Sequence, residues 1–484
     1  MEDRGYAPYT DGEDRISELP DHLIHEIFSS IDTKWEVRTC VLSKRWINIW
    51  KSLHVLNFSR RSFLEDKRDC FVMLVDMVLI FRCQDFNIQR MWVNWRSTGY
   101  DRSVIMNVNR WCLAAVKYNV QNLIIEIGQC DNWAYEIPHR LLNCKSLTEL
   151  AIEVDNSPGY VDVIFPRLID LPQLKKLSFI GLSVSDVESS KILFSGCPSL
   201  EKLRIIDCDI HTDKERKLIV DSVSLKKFEC TCWCKHLLAQ NDIVANSIKL
   251  CAPNLEELIC ISVMKQEHSL EICSPLPAVQ FNIRFTGKTR DENSETYEKL
   301  PLKEKEVYAK QMIKFLEAAY MVKKMRLSPG FLEVLFRAPD LLDCQPPCLC
   351  NLQGLVLDMW FTRGCLRAIA YLFTISPKIT ELTLASMETN LGDVGDDWET
   401  GLSVPGMLSH LELIRIKEVE GNYNELKLLS FLLRNAKALR KVVLYPRSTI
   451  DRVRDQFLVK LKALPRASSH IILQWPATKS TCFI

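Results

Sequence analysis

The 484-residue sequence contains no run approaching the roughly 18 consecutive apolar residues that a membrane-spanning helix needs. Net charge is also missing: 62 Lys and Arg stand against 61 Asp and Glu, and a balance of +1 provides no general field for nucleic acid or anionic lipid. Neither nucleic acid nor membrane is expected as a partner. Glycine, at 16 residues, is too sparse for a collagen-like chain, and 47% hydrophobic with 25% charged residues excludes a disordered one. The opening residues MEDRGYAPYTDGEDR lack the apolar segment of a secretory signal. Cys482 stands third from the end, where prenylation needs a cysteine fourth from the end. The 19 cysteines are odd in number and scattered, so they are expected to be reduced thiols in a protein of the nucleus and/or cytoplasm.

Catalytic patterns are equally scarce. Gly287, Lys288 and Thr289 resemble the end of a phosphate-binding loop, but position 282 is Asn where that loop needs glycine. His22, His25 and Glu26 share one helix in the order H-x-x-H-E, which is neither zinc-protease spacing, so surface histidines are expected. Cys230, Cys232 and Cys234 alternate, and Cys344, Cys348 and Cys350 form a second cluster, yet neither has the paired C-x2-C form of a structural zinc site. There is no G-x-S-x-G elbow. The glycosylation triplet at Asn57 carries no meaning outside the secretory pathway. No catalytic residue, cofactor or metal ion is expected.

What the sequence does have is self-similarity. The pattern L-x-x-L-x-L recurs as LTELAI from Leu147, LKKLSF from Leu174, LEKLRI from Leu200 and LKKFEC from Leu225, at intervals of 27, 26 and 25 residues. It continues at Leu255, Val322, Leu352, Ile379, Leu411 and Leu439, and extends backwards to Val120 and Ile88, giving twelve units. In the 67-residue gap from 255 to 322, Val279, Phe281, Ile283 and Phe285 alternate as a degenerate strand would. A repeat of this length is one strand that cannot bury its apolar face alone, with the chain returning outside by helix or loop. Stacked units form a parallel sheet with a continuous leucine core, and Lys202, Arg204 and Ile206 point to its other side. Cys144, Cys197 and Cys251 fall at repeat boundaries, where small buried thiols are expected. Two segments break the period: 290–306, with ten charged residues of 17, leading into a helix with Tyr308, Met312, Phe315, Leu316 and Ala319 on one face, and the acidic ETNLGDVGDDWETG from Glu388.

Residues 14–53 do not follow the repeat. They read as three short helices: one with Pro20 at its first position and Leu23, Ile27 and Ile31 recurring beside Ile24 and Phe28; one opened by a Thr33/Glu36 capping box; and one capped by Ser43 with Trp46, Ile49, Trp50 and Leu53 at helical spacing. Forty residues cannot cover that much apolar surface, which points to a partner.

These segments resemble a known family. DRISELPD and LSKRW followed by a second Trp resemble the plant F-box, the forms GCPSLEKLRI and CAPNLEELIC resemble its irregular leucine-rich repeats, and FLLRNAKALRKVVLYP with LPRAS resembles the FBD domain that ends many plant F-box/LRR proteins. The resemblance implies an α/β chain in the order tail 1–13, F-box 14–60, leucine-rich-repeat solenoid 80–400 with parallel strands and outer helices, α/β FBD cap 405–475 and tail 476–484. It implies docking on a Skp-family adaptor, and through it on a cullin-RING ubiquitin ligase, with the repeats holding an unknown protein target. The adaptor contact then maps onto Leu19, Pro20, Leu23, Ile24, Ile27, Val41, Leu42, Ser43, Arg45, Trp46 and Trp50, a mixture of core and contact residues of which roughly half belong to the interface. Asp32 stands where the family commonly has proline, which alters a turn. The alternatives are a scaffold whose F-box is vestigial, or a small-molecule sensor. A C-terminal helix with Val453, Phe457, Leu461 and Leu464 on one face completes the pattern.

Overall fold

The computed structural model describes residues 19–42, 44–64, 67–96, 102–128, 134–154, 161–188, 194–212, 217–232, 247–263, 269–284, 295, 297, 299–335, 348–387, 406–447 and 454–475. Ser43, Phe285, Val453, Cys234, Cys344, the Gly287–Thr289 triplet, the acidic segment from Glu388, residues 290–294, 296 and 298 of the charged run, and both tails lie outside them.

Among the described residues the recurring motif becomes one 15-stranded sheet. Its strands are β1 (Val55–Ser59), β2 (Arg90–Trp95), β3 (Asn122–Ile127), β4 (Glu149–Val154), β5 (Lys176–Ile180), β6 (Lys202–Ile206), β7 (Lys227–Cys232) and β8 (Glu257–Val263). There follow β9 (Ala278–Arg284), β10 (Lys324–Leu327), β11 (Gly354–Met359), β12 (Glu381–Ser386), β13 (Leu413–Val419), β14 (Lys441–Pro446) and β15 (Ile472–Gln474). Their order across the sheet is their order in the chain, and neighbours are parallel throughout. The motif explains why. In LTELAI, Leu147, Leu150 and Ile152 are buried, while Glu149, Ala151 and Glu153 between them face the open side. A strand with one apolar face and no partner in its own repeat must pair with the next repeat.

The degenerate strand anticipated in the long gap is β9, where Val279, Phe281 and Ile283 are buried. Two further strands escaped the period. β1 follows Leu53 with Leu56 and Phe58 buried, and β15 carries Leu473 against the core. Strand β1 thus lies inside the expected F-box range 14–60, and β13–β15 carry the FBD-like stretch on as further strands of the same sheet.

The outer layer changes along the chain. Helices α4 (Arg68–Phe81) and α5 (Arg102–Lys117) cover the first repeats. The middle repeats instead return through short parallel strands, four at Tyr135–Glu136, Val161–Ile164, Leu182–Val184 and Asp209–Ile210, and three at Lys217–Asp221, Ser247–Cys251 and Ser269–Ile272. Helices resume with α6 (Leu302–Ala318), α7 (Pro329–Leu335), α8 (Arg363–Ile375), α9 (Tyr423–Asn435) and α10 (Arg454–Ala463). Local pattern decides the switch: KLIVD alternates, burying Leu218 and Val220, whereas α6 buries Tyr308, Met312, Phe315 and Leu316 at helical spacing. On α10, Phe457 and Leu461 are buried as the spacing required.

Close approach between repeats fixes single residues. A Cβ on Gly196 would lie 2.1 Å from the Ile169 carbonyl oxygen, so the GCPSL corner admits only glycine there. Cys144 and Cys197 are buried at their corners as expected, but Cys251 is half-exposed, because its side chain leaves the surface of an outer strand. The all-thiol expectation also fails at one place: Cys348 and Cys350 form a disulfide, their Cα atoms 5.4 Å apart across an intervening residue.

Candidate functional site

The helical module consists of α1 (Asp21–Phe28), α2 (Thr33–Arg38), a 3-10 turn at Thr39–Val41 and α3 (Lys44–Lys51). Pro20 occupies the N-cap of α1, one residue before the expected first helical position, and its carbonyl accepts from the Leu23 N–H at 3.0 Å. The second helix starts one residue earlier than the capping box implied. Asp32, not Thr33, is the N-cap, with Oδ1 accepting from Lys34 N at 2.9 Å. Thr33 is turned inward to accept from Asn57 N at 2.9 Å, and Glu36 is left fully buried one position beyond box spacing.

Burial divides the candidate contact residues. Ile24 and Trp46 belong to the core with Phe28, Ile49 and Leu53, and the Phe28 and Trp46 rings lie 5.8 Å apart. Leu19, Arg45 and Trp50 are half-buried, and the Arg45 guanidinium donates to the Leu19 carbonyl and, at 2.6 Å, to Asp21 Oδ1. Pro20, Leu23, Ile27, Val41 and Leu42 are exposed, Val41 at 83% and Leu42 at 63%. Five apolar or proline side chains in water on one small module are the signature of a contact surface, and Leu23 and Ile27 share a helix face by their four-residue spacing. Trp35, 49% exposed between Lys34 and Arg38, is a sixth. Periodicity does not single it out, because it stands outside the apolar period of its helix.

The module is fastened to the repeats by buried and part-buried polar contacts. Asn57, on β1, donates through Nδ2 to the Ser29 carbonyl at 3.0 Å and to that of Ile31 at 2.9 Å, closing the α1–α2 turn onto the sheet. Asp32 Oδ2 accepts from Ser59 N at 3.1 Å and Ser62 Oγ at 2.6 Å. The Asp32 departure thus serves as an anchor. From the next repeat Arg90 reaches the Ser29 carbonyl at 2.9 Å, and Arg82, buried over the Tyr118 ring, donates to the Leu53 and Phe86 carbonyls. Burial holds the Arg82 pKa below its usual value. His22 is exposed as expected, whereas His25 is half-buried beside His54, ring centroids 5.5 Å apart, and burial lowers both their pKa values.

The open face of the sheet is the second candidate surface. Its charges pair across neighbouring strands: Lys176 with Glu149 at 3.1 Å, Arg204 with Glu229 at 2.9 Å, Lys227 with Glu257 at 2.6 Å and Arg326 with Asp358 at 2.9 Å. Beside them runs a row of half-buried isoleucines, Ile180 and Ile206 in register and Ile261 beyond Thr231. As expected, Lys202 and Arg204 face this side, exposed. Among the described residues no group of three or more His, Cys, Asp or Glu is disposed to hold a metal ion, and no helix is long and apolar enough to cross a membrane.

Sequence comparison matches these parts one by one. The F-box domain matches residues 16–58, the repeats of the FBD-associated F-box protein At5g56370 match 108–275, and FBD matches 402–444. The chain carries an F-box, leucine-rich repeats and an FBD domain. In Arabidopsis thaliana, F-box/FBD/LRR-repeat protein At1g78750 is 27% identical to it over 94% of this chain and 95% of that protein. F-box/LRR-repeat protein 13 is 27% identical over 96% of each, and FBD-associated F-box protein At1g66310 is 27% identical over 97% of each. Each similarity spans nearly the whole of both chains.

Proposed function

We propose that the protein is the substrate-recognition subunit of an SCF-type ubiquitin ligase, with its F-box docked on a Skp-family adaptor and its repeats holding a protein target. It performs no chemistry in this reading. It raises the effective concentration of the target's lysines beside a charged ubiquitin-conjugating enzyme. One observation carries the docking half: the F-box completes its own core with Ile24, Phe28, Trp46, Ile49 and Leu53 and still leaves Leu23, Ile27, Val41 and Leu42 in water. The isoleucine row bordered by paired charges on the sheet's open face is the candidate target surface. Its apolar centre supplies affinity and its charged margin selects the partner. The proposal carries a location with it, the nucleus and/or cytoplasm.

The test is pull-down of a purified Skp-family adaptor, with cullin, by the full chain and by an Ile27→Glu, Leu42→Glu variant. The wild type is expected to bind, and the variant to lose about 10- to 100-fold in affinity, roughly 1.4 to 2.8 kcal/mol, with an unchanged melting temperature. Trp46→Ala is the control, and it should lower the melting temperature because that ring is core. If the folded wild type does not bind adaptor, the scaffold reading replaces this one.

A further inference from the structure

On the outer surface of the middle repeats, the strands Ser247–Cys251 and Ser269–Ile272 run parallel, pairing Leu250 with Ile272. Cys251 and Cys273 are the next rung. The backbone keeps them opposite, since Cys273 N donates to the Leu250 carbonyl at 3.0 Å. Neighbouring strands stand about 4.8 Å apart, inside the Cα window of about 4.4 to 6.8 Å that a disulfide spans. Both side chains leave the sheet on the same side as Lys249 and Glu271, which pair at 3.2 Å two residues earlier on each strand. The two sulfurs already touch: Cys251 Sγ donates to Cys273 Sγ at 3.3 Å. Cys273 is exposed, whereas Cys144, Cys197, Cys112 and Cys365 are buried.

We propose that Cys251 and Cys273 are a redox modification site, a dithiol that hydrogen peroxide converts to a disulfide joining two consecutive repeats. The division of labour follows from the geometry. Cys273 is the exposed sulfur and the acceptor of the thiol hydrogen bond, so its thiolate attacks the peroxide oxygen, releasing hydroxide and leaving a sulfenic acid. Cys251 then supplies the second sulfur. Its sulfur attacks that of Cys273, the S–S bond forms, the S–O bond breaks and water leaves with the Cys251 proton. Two thiols and one peroxide give one disulfide and two waters, and a dithiol reductant reverses the step. The Cys273 thiol in turn donates to Glu271 Oε1 at 4.0 Å, a longer contact than that between the two sulfurs, and the same carboxylate is engaged by Lys217 and Lys249. The result is a covalent tie across the outer face directly behind β8 and β9. Separation of these two repeats then depends on reduction.

The experiment uses the full chain, reduced, exposed to hydrogen peroxide, alkylated and digested for mass mapping. The peptides containing Cys251 and Cys273 should appear joined, lighter by two hydrogens than their sum, and separate again with dithiothreitol. Both should lose alkylation at least about tenfold faster than buried Cys144 and Cys197, the internal controls. In Cys251→Ser, Cys273 should instead accumulate as sulfenic and sulfinic acid. Should the Cys251→Ser variant fail to fold, phenylarsine oxide on the wild type gives the second measurement: a bidentate arsenical should protect both cysteines together. The proposal is overturned if wild-type Cys273 is oxidised or alkylated without ever joining Cys251, or if the arsenical protects neither.

Discussion

Glu36 shows how one residue is set by its surroundings. Its side chain is fully buried in the F-box beside the Thr33 hydroxyl, whose hydrogen bond lowers the carboxyl's pKa but does not offset burial. Burial, reinforced by the Asp32 charge nearby, raises its pKa to about 8. The folded protein therefore holds this proton more tightly than the unfolded chain, so the contribution is favourable below the unfolded value near 4.5 and is lost as the pH rises through about 8. Across that window the loss is about 3 to 5 kcal/mol by linkage. Glu36→Gln keeps the shape and removes the titration. Melting curves from pH 5 to 9 should fall more steeply for the wild type than for the variant, which keeps only the smaller loss from the buried Glu425, and parallel curves would refute the assignment. Sequence alone reads Glu36 as a capping residue, because a T-x-x-E string does not reveal that Asp32 takes the cap and pushes the glutamate one position inward.

At the scale of elements, the end of β13 and the start of α9 form a sharp corner with its own fastening. Asn422 Oδ1 accepts from Glu425 N at 2.9 Å, and the Glu425 carboxylate accepts from the backbone N–H groups of Glu420, Gly421 and Asn422 at 3.0, 2.7 and 3.1 Å. Gly421 takes a φ of 80° there, a conformation that favours glycine. Burial still raises the Glu425 pKa to about 7, outweighing those three hydrogen bonds. Asn422→Ala should cost about 1 kcal/mol, read as a lower midpoint in urea with an unchanged slope. The main-sheet strands other than β1 and β15 were legible because alternation and a recurring interval announce them. The outer strands of the middle repeats were not, since a short apolar segment between repeats reads equally as loop, and only the register with the adjacent repeat makes it a strand.

Over the whole molecule, the F-box is continuous with the sheet. Its turn is held by Asn57, Ser59, Ser62 and Arg90, all of them beyond its helices. An excised segment covering residues 14–54 loses every one of these contacts and should melt without a cooperative transition, whereas the full chain should melt cooperatively. A sharp transition in the excised piece, followed by circular dichroism, would show that the sheet is not needed. The same continuity gives the proposed docking surface a fixed orientation relative to the repeats, which the proposed proximity mechanism requires.

The repeats, their parallel pairing and the three-part order could be read from the sequence, because leucines at a fixed interval dictate one face per strand and leave stacking as the only way to bury it. The candidate contact residues could be named from the sequence, but not divided into core and surface. Periodicity places Ile24 and Ile27, or Trp46 and Trp50, on the same helices without distinguishing inside from outside. Packing among the three helices and β1 decided that, burying Ile24 and Trp46 while leaving Ile27, Val41 and Leu42 in water. The meeting of Cys251 and Cys273 was likewise invisible, since residues 22 apart become neighbours only when two outer strands take a common register. Spacing along the chain fixed which residues repeat, and the contacts between repeats fixed which of them are covered and which remain free to bind.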